Sequence, residues 1–475
     1  MSCKLMKKSV CCLKLARHCN ISYNVFRTLQ TNQDANKDTV DIVISGGGMV
    51  GTTLACALGK EGFLHGKKIV LLESASEKKF DLPAEYSNRT CALSPATVNL
   101  LSGLGVWDEI LQMRCQPVKR MQVWDSCSDS IITFNNDDLN DNLAYIVEND
   151  VILEAVKRSL PKSHNLNIKY NTSAKSYIIP GITPGHDGLD QNSWVTVQLN
   201  DGSEIKTKLL IGADGMNSTV RKTCEFHTLR SDYGQSGLVA TLKLTGDTEN
   251  NVAWQRFLPT GPIAMLPLSN TDSCLIWTTT TENAKHLKQL SEDSFIDAVN
   301  DAFWHDRDMN SLAISAGGIL NGVLNNILPG GASSSRQLPP TVVGIAANSR
   351  AAFPLGLLHS SSYAGHRVAL IGDAAHRIHP LAGQGVNLGF GDVACLRNLL
   401  VEAVKNGTDL GSLALLAEYE TQRQRSVLPV VGVIDGLQRL YSNSFTPIVM
   451  IRSLGLQTVN SLHFLKNIII KQAST

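Results

Sequence analysis

Apolar runs that stop at glycines set the rhythm of this chain. Val40 to Ile44 is a short β-branched run suited to a buried parallel strand, and the small residues of GTTLACAL (51–58) follow it as a helix. Lys68-Ile69-Val70-Leu71-Leu72 forms a second such strand. Further apolar strands enter turns at LLIGADG (209–215) and at IGDAAH (371–376). Between these segments, 118–136 and 238–280 alternate apolar and polar residues between Pro/Gly turns, which predicts an antiparallel sheet. From about Asp392 the pattern is helical. Residues 448–470 mix an apolar face with Arg452, His463 and Lys466, fitting a helix docked on the body or one touching a membrane. The stretch 328–340, LPGGASSSRQLPP, is a loop by composition. The pattern predicts an α/β fold whose parallel-sheet domain takes 38–113, 145–234 and 346–400. An antiparallel-sheet domain (114–144 and 235–345) interrupts it, and a helical region (401–475) closes the chain.

The first turn carries chemistry. Gly46, Gly48 and Gly51 fall in GxGxxG spacing between a strand and a helix. The first two glycines permit a tight turn and close approach of a pyrophosphate, and Gly51 lets the helix pack on the strand. Glu73 ends the second strand 22 residues beyond Gly51, where a carboxylate meets a ribose hydroxyl. Strand, glycines, helix, strand and acid in this order describe a Rossmann-like nucleotide site.

A second ligand-shaped stretch is IGDAAHRIHPLAGQGVNLG (371–389). Glycines at 383, 385 and 389 let a flat ligand approach the main chain. A helix starting near Gly385 would aim free N–H groups at an anion or at a ring that becomes anionic, and reduced flavin is such a ring. The alternative is a Gly-rich connection with buried histidines. His376 and His379 lie three apart beside Asp373, but Pro380 and the glycines disfavour a ligand-bearing helix face, so no metal site is expected. In the turn at 209–221, Asp214 and Ser218 stand where capping of the next helix would explain both.

With 475 residues and 43% apolar content the chain can bury cores in two or three units, and no run of 18 apolar residues marks a transmembrane helix. A net charge of +1 gives no case for nucleic acid. That charge is uneven. Residues 1–33 hold six Lys or Arg and no acid, which leaves the remainder at −5 and gives the start the look of a mitochondrial transit peptide. Four of the 11 cysteines lie in this leader, and the other seven are scattered without a CxxC pair, which argues against disulfides, zinc and iron–sulfur ligation.

The three motifs together resemble the group A FAD-dependent aromatic hydroxylases, and within them the ring hydroxylases of mitochondrial ubiquinone biosynthesis. The supporting residues are YSNRTCALSPATVNLL (86–101), WQRFLPTGPIAMLPL (254–268), 350–392 and YETQRQR (419–425), and the resemblance covers about 40–475. AGQGVNLGFGD goes beyond what FAD binding requires. The resemblance implies that Gly46, Gly48, Gly51, Glu73, Gly372 and Asp373 hold FAD. It places Gly383, Gln384, Gly385, Val386 and Asn387 at the flavin ring, Arg89 and Asp214 beside the cofactor, Asn149 as a further contact, and Pro354 with Leu355 at the pocket wall. A surface salt bridge is the other reading of Arg89. The implied reaction is hydroxylation of a polyprenylated 4-hydroxybenzoate at ring carbon 5, with O2, through a flavin C4a-hydroperoxide. The implied electron donors are a ferredoxin and its reductase, and the implied setting is a biosynthetic complex on the matrix side of the mitochondrial inner membrane. A prenyl-chain reductase and a structural member of that complex are the alternatives.

Overall fold

The computed structural model describes residues 37–461, apart from 129, 136–141, 183–192, 247–248, 306–337, 381–382 and 443–444. The expected leader, the loop residues 328–337 and the C-terminal residues 462–470 lie outside the described residues.

The apolar runs pair as parallel strands. Lys37–Ser45 lies between Ile69–Leu72 and Glu204–Gly212, with Leu166–Lys169 beyond the first and Val368–Leu370 beyond the second. Ile42, Val43 and Ile44 are fully buried, the signature of a strand covered on both faces. The other half of the Glu204–Gly212 edge is taken by an antiparallel pair, Val195–Leu199 and Ala174–Ile178. Helix Met49–Lys60 is buried from Gly51 to Gly59, because helices Asn149–Arg158 and Gly385–Lys405 also pack on it. Its two threonines are accommodated by bonding back, Thr52 Oγ1 to Gly47 O at 2.9 Å and Thr53 Oγ1 to Met49 O at 2.7 Å.

A second sheet has nine strands and is antiparallel except where Val252–Leu258 runs parallel to Arg120–Asp125. Helix Glu292–Trp304 packs on it, its Phe295 and Phe303 joining Trp124, Leu238, Ile263 and Trp277 in one core. Sheet membership cuts across the boundaries expected at 145–234 and 346–400. Thr228–Leu244 and Ala351–Ser360 both belong to this antiparallel sheet, and they pair with each other. Long strands can leave one domain and finish in the other, which local alternation does not reveal. A small third sheet joins Thr90–Leu93, Ala144–Glu148 and Gln116–Val118.

Three helices end the described chain: Gly385–Lys405, Leu413–Tyr441 and Thr446–Ser461. The last docks on the antiparallel sheet. Arg452 reaches the buried Asp125 with Nε at 2.9 Å and Nη2 at 3.0 Å, and Ser130 Oγ donates to Ser453 O at 3.3 Å. Residues 446–461 are therefore held by the protein itself. Among the described residues no helix is long and apolar enough to cross a membrane.

Candidate active site

Four parallel strands deliver their carboxyl ends to one edge of the first sheet, carrying Gly46, Glu73, Ala213-Asp214 and Ile371-Gly372. This is where open α/β sheets bind ligands.

The glycine turn is built by excluding side chains. Gly46 has φ 113°, and a Cβ on it would lie 2.4 Å from Ala213 O. A Cβ on Gly51 would lie 2.0 Å from Gly46 O. Gly48 is different: its backbone is extended and a Cβ there would meet nothing within 4 Å. What it keeps clear is space in front of a helix start that has no side-chain cap and no acid in its first turn. Gly47, which the spacing rule leaves free, also faces a side chain, since its Cβ would lie 2.4 Å from Glu73 Oε2. Glu73 is fixed over that turn, its Oε1 accepting from Ala75 N at 2.6 Å.

Capping accounts for much of the second turn. Asp214 Oδ2 accepts from Thr219 N at 2.7 Å and Val220 N at 3.2 Å, and Ser218 Oγ accepts from Arg221 N at 3.0 Å. Asp214 Oδ1 is buried and accepts no hydrogen bond among the described residues, so half of this carboxylate remains for a ligand. Arg221, fully buried, donates to Met216 O at 2.6 Å and Ala374 O at 2.5 Å. It thereby ties this turn to the one at 372–375.

That third turn rests on Gly372, at φ 59°. Val50 of the glycine helix packs on both Gly372 and Gly389, whose Cβ positions would lie 3.3 Å and 2.7 Å from Val50 Cγ2. The two sequence-distant glycine motifs are thus one packed unit. Asp373 is exposed, yet the surrounding protein raises its carboxyl pKa while the charges of His376 and Arg377 pull it down. Beside it the thiol of Cys91 is pushed up to about 12, first by burial and then by the charge of Asp373.

The helix Gly385–Lys405 also starts without a side-chain cap or an acid in its first turn. Gly383 turns the chain into it at φ 62°, Gln384 stands at the cap position, and a Cβ on Gly385 would meet nothing within 4 Å. Asn387 spends its side chain on protein. Its Oδ1 accepts from Ser94 N at 3.0 Å and Thr97 Oγ1 at 2.8 Å, and its Nδ2 donates to Ala92 O at 2.8 Å. Asn387 and Val386 can therefore offer a ligand their backbone N–H groups.

Arg89 is exposed, and its guanidinium has no protein partner among the described residues. Its backbone carbonyl accepts from Asn149 N at 2.9 Å, and Asn149 Oδ1 accepts from the Cys91 thiol at 2.9 Å. Behind Arg89 the loop is held by Arg114, which pairs with buried Glu148 and donates to the carbonyls of Pro83 and Glu85. Pro354 is exposed next to a register shift between its strand and Thr228–Leu244, where a residue without an N–H does least harm, and its carbonyl accepts from Arg377 at 3.2 Å.

The two histidines have separate fates. His376 Nε2 bonds Asp392 Oδ2 at 2.8 Å. His379 packs edge-on against Tyr233 at 5.1 Å, and burial lowers its pKa to about 4, with Asp435 pulling the other way. Among the described residues no group of three His, Cys, Asp or Glu could hold a metal ion.

Sequence reading missed Asp392. Its fully buried carboxylate accepts from Gly372 N at 2.8 Å, His376 Nε2 at 2.8 Å and Arg423 Nε at 2.7 Å. Burial alone would raise its pKa, but His376 and Arg423 hold it below the usual carboxylate value. A charge on the buried face of a helix, between Leu388 and Leu396, was the available signal.

FAD fits these residues. Two uncapped helix starts, two glycines whose Cβ positions point into open space, an unpaired buried Asp214 oxygen and the exposed Arg89 surround one edge of the sheet. Comparison with known proteins agrees. A family model described as FAD binding domain matches residues 39–311 and 347–432. The chain is 52% identical over 436 residues to the ubiquinone biosynthesis monooxygenase COQ6, mitochondrial, of Xenopus tropicalis, covering 91% of this chain and 93% of the relative. It is 49% identical to the Homo sapiens protein of the same name over 443 residues, 93% of this chain and 94% of that one. Among solved structures, the probable FAD-dependent monooxygenase pqsL of Pseudomonas aeruginosa superposes with a TM-score of 0.64 at 19% identity, covering 88% of this chain and all of that one. The p-nitrophenol 4-monooxygenase PnpA of Pseudomonas putida DLL-E4 gives 0.64 at 17%, over 92% and 99% of the two chains. These structures share the fold, whereas identity of about one half over nine-tenths of the chain shows kinship. The chain is an FAD-dependent monooxygenase and belongs to the family of mitochondrial ubiquinone biosynthesis monooxygenases.

Proposed function

We propose that this monooxygenase hydroxylates the ring of a polyprenylated 4-hydroxybenzoate, or a related phenol, at carbon 5 in ubiquinone biosynthesis. A later ring hydroxylation of a methoxy-polyprenylphenol is a second candidate step. The supporting observation is the identity of about one half to ubiquinone biosynthesis monooxygenases along nearly the whole chain. FAD, when bound, supplies the oxygen chemistry, and the protein supplies position and charge.

In this reading Gly46, Gly48 and Gly51 with the start of helix Met49–Lys60 receive the pyrophosphate, and Glu73 meets the ribose. Gly372 and Asp373 hold the ribityl chain. The N–H groups of Gly385, Val386 and Asn387, behind the Gly383-Gln384 turn, face the ring and stabilise negative charge on it. Arg89 contacts cofactor or substrate, Asn149 fixes the backbone of Arg89, Asp214 offers its spare oxygen, and Pro354 with Leu355 walls the pocket. The parallel-sheet segments form the cofactor domain and the antiparallel segments the substrate side. Electrons come from a ferredoxin and its reductase. The protein works with other ubiquinone-biosynthesis proteins as a peripheral protein on the matrix side of the inner membrane. Val433 on helix Leu413–Tyr441 and Phe445 just before helix Thr446–Ser461, 61% and 64% exposed, support a surface contact of that kind.

Mass spectrometry of the quinone precursor that accumulates without this protein tests the substrate. A precursor lacking the carbon-5 hydroxyl is expected, and one already hydroxylated there would sink the assignment. Anaerobically, the ferredoxin couple should bleach the flavin at catalytic rates and NADPH alone should not.

A further inference from the structure

Asp392 has no part in the roles assigned so far, yet three groups from two other chain segments converge on it. One oxygen takes the N–H of Gly372, at the turn beside Asp373, together with His376 Nε2; the other takes Arg423 Nε. Arg423 comes from helix Leu413–Tyr441 and continues to Leu388 O at 3.0 Å, on the helix that starts at Gly385. Its guanidinium fills the space of a missing side chain, since a Cβ on Gly391 would lie 2.6 Å from Nη2. The same long helix holds the strand entering the turn: Tyr419 OH donates to Leu370 O at 2.8 Å, and Glu420 accepts the N–H groups of Tyr363 and Ala364. Gly372 takes a positive φ just before the exposed Asp373, and Asp392 is the group that pins that N–H.

We propose that Asp392 is a positioning residue which, through Arg423 and His376, locks the Gly372 turn, so that FAD binding and the seating of helix Leu413–Tyr441 stabilise each other. This rests on the reading that FAD occupies the turn at Gly372–Asp373. Coupling between two sites is reciprocal, so cofactor loss loosens the helix as surely as loosening the helix weakens the cofactor. A bidentate guanidinium is needed because Arg423 must grip Asp392 and Leu388 O together, which the point charge of Lys cannot do.

The test titrates FAD onto the full-length apoprotein and follows amide hydrogen exchange with and without FAD. Asp392→Asn should raise the FAD Kd at least tenfold and abolish the slowing of exchange that FAD produces across 413–441 in the wild type. Arg423→Lys should act in the same direction more weakly, and serves if Asp392→Asn does not fold. Phe295→Leu, in the distant core of the antiparallel sheet, is the control: it should lower Tm while leaving the FAD Kd within twofold. Exchange across 413–441 that ignores FAD in the wild type, or a Kd change no larger than the control's, overturns the proposal. Asp373→Asn separates the two readings. If it weakens FAD while Asp392→Asn does not, the lock alone fails; if neither matters, the placement of FAD at this turn fails with it.

Discussion

The two glycine turns at the sheet edge are held by opposite means. At 46–51 the backbone is shaped by absent side chains, with Gly46 and Gly51 packed on carbonyl oxygens of the turn itself and of Ala213. At 372–392 it is shaped by a buried charge cluster, with Asp392 gripping an N–H, an imidazole and a guanidinium. The first device is local and completes itself within a few residues. The second needs a helix 31 residues further on. A turn made by steric exclusion can be read from spacing, whereas one made by a buried charge depends on a fold already assembled around it.

Five variants would break or sharpen that contrast. Gly51→Val should be the most damaging, because its Cβ would meet Gly46 O at 2.0 Å and a backbone carbonyl cannot move aside. The loss should exceed the roughly 1–3 kcal/mol usual for overpacking, and purified protein should carry no flavin absorbance. Arg423→Met comes next. It leaves Asp392 buried without its cation, which should cost about 3–5 kcal/mol in urea unfolding and weaken FAD as well. Arg452→Met, at the other buried Asp–Arg pair, should cost a similar amount of stability with FAD affinity kept. Equal loss of FAD in both variants would remove the distinction between the turns.

The fourth concerns acid. The pKa of His379 is depressed by burial to about 4, so between the ordinary value near 6.5 and 4 the unfolded chain binds the extra proton and stability falls as pH falls. The ceiling is roughly 3 kcal/mol, and it should be gone from the pH 7 to pH 4.5 difference in unfolding free energy of His379→Gln. The smallest stability effect belongs to Gly48→Leu, whose side chain has open space. Unfolding should change by less than about 0.5 kcal/mol while FAD affinity drops at least tenfold, and a simple loss of stability would refute the cradle.

The glycine turn, Glu73 and the capping by Asp214 and Ser218 were legible because each depends on neighbours within a few residues or on a fixed strand–turn–helix spacing. Arg114, Glu148 and Arg221 were not. Arg114 and Arg221 reach across 34 and 153 residues to shape loops, and nothing in the local pattern marks Glu148 or Arg221 for burial. The membership of Ala351–Ser360 in the antiparallel sheet was hidden for the same reason, since alternation shows that a strand exists and not which edge it joins.

The sequence by itself determined the parallel strands, the fingerprint turn and the FAD chemistry, because hydrophobic period and glycine sterics act over short distances. Only the tertiary structure decided that the two glycine motifs meet across Val50, that His376 serves Asp392, and that a C-terminal helix holds the Gly372 turn. Those outcomes depend on which buried charge finds which partner once water is excluded, and pairing of that kind exists only when the chain has folded.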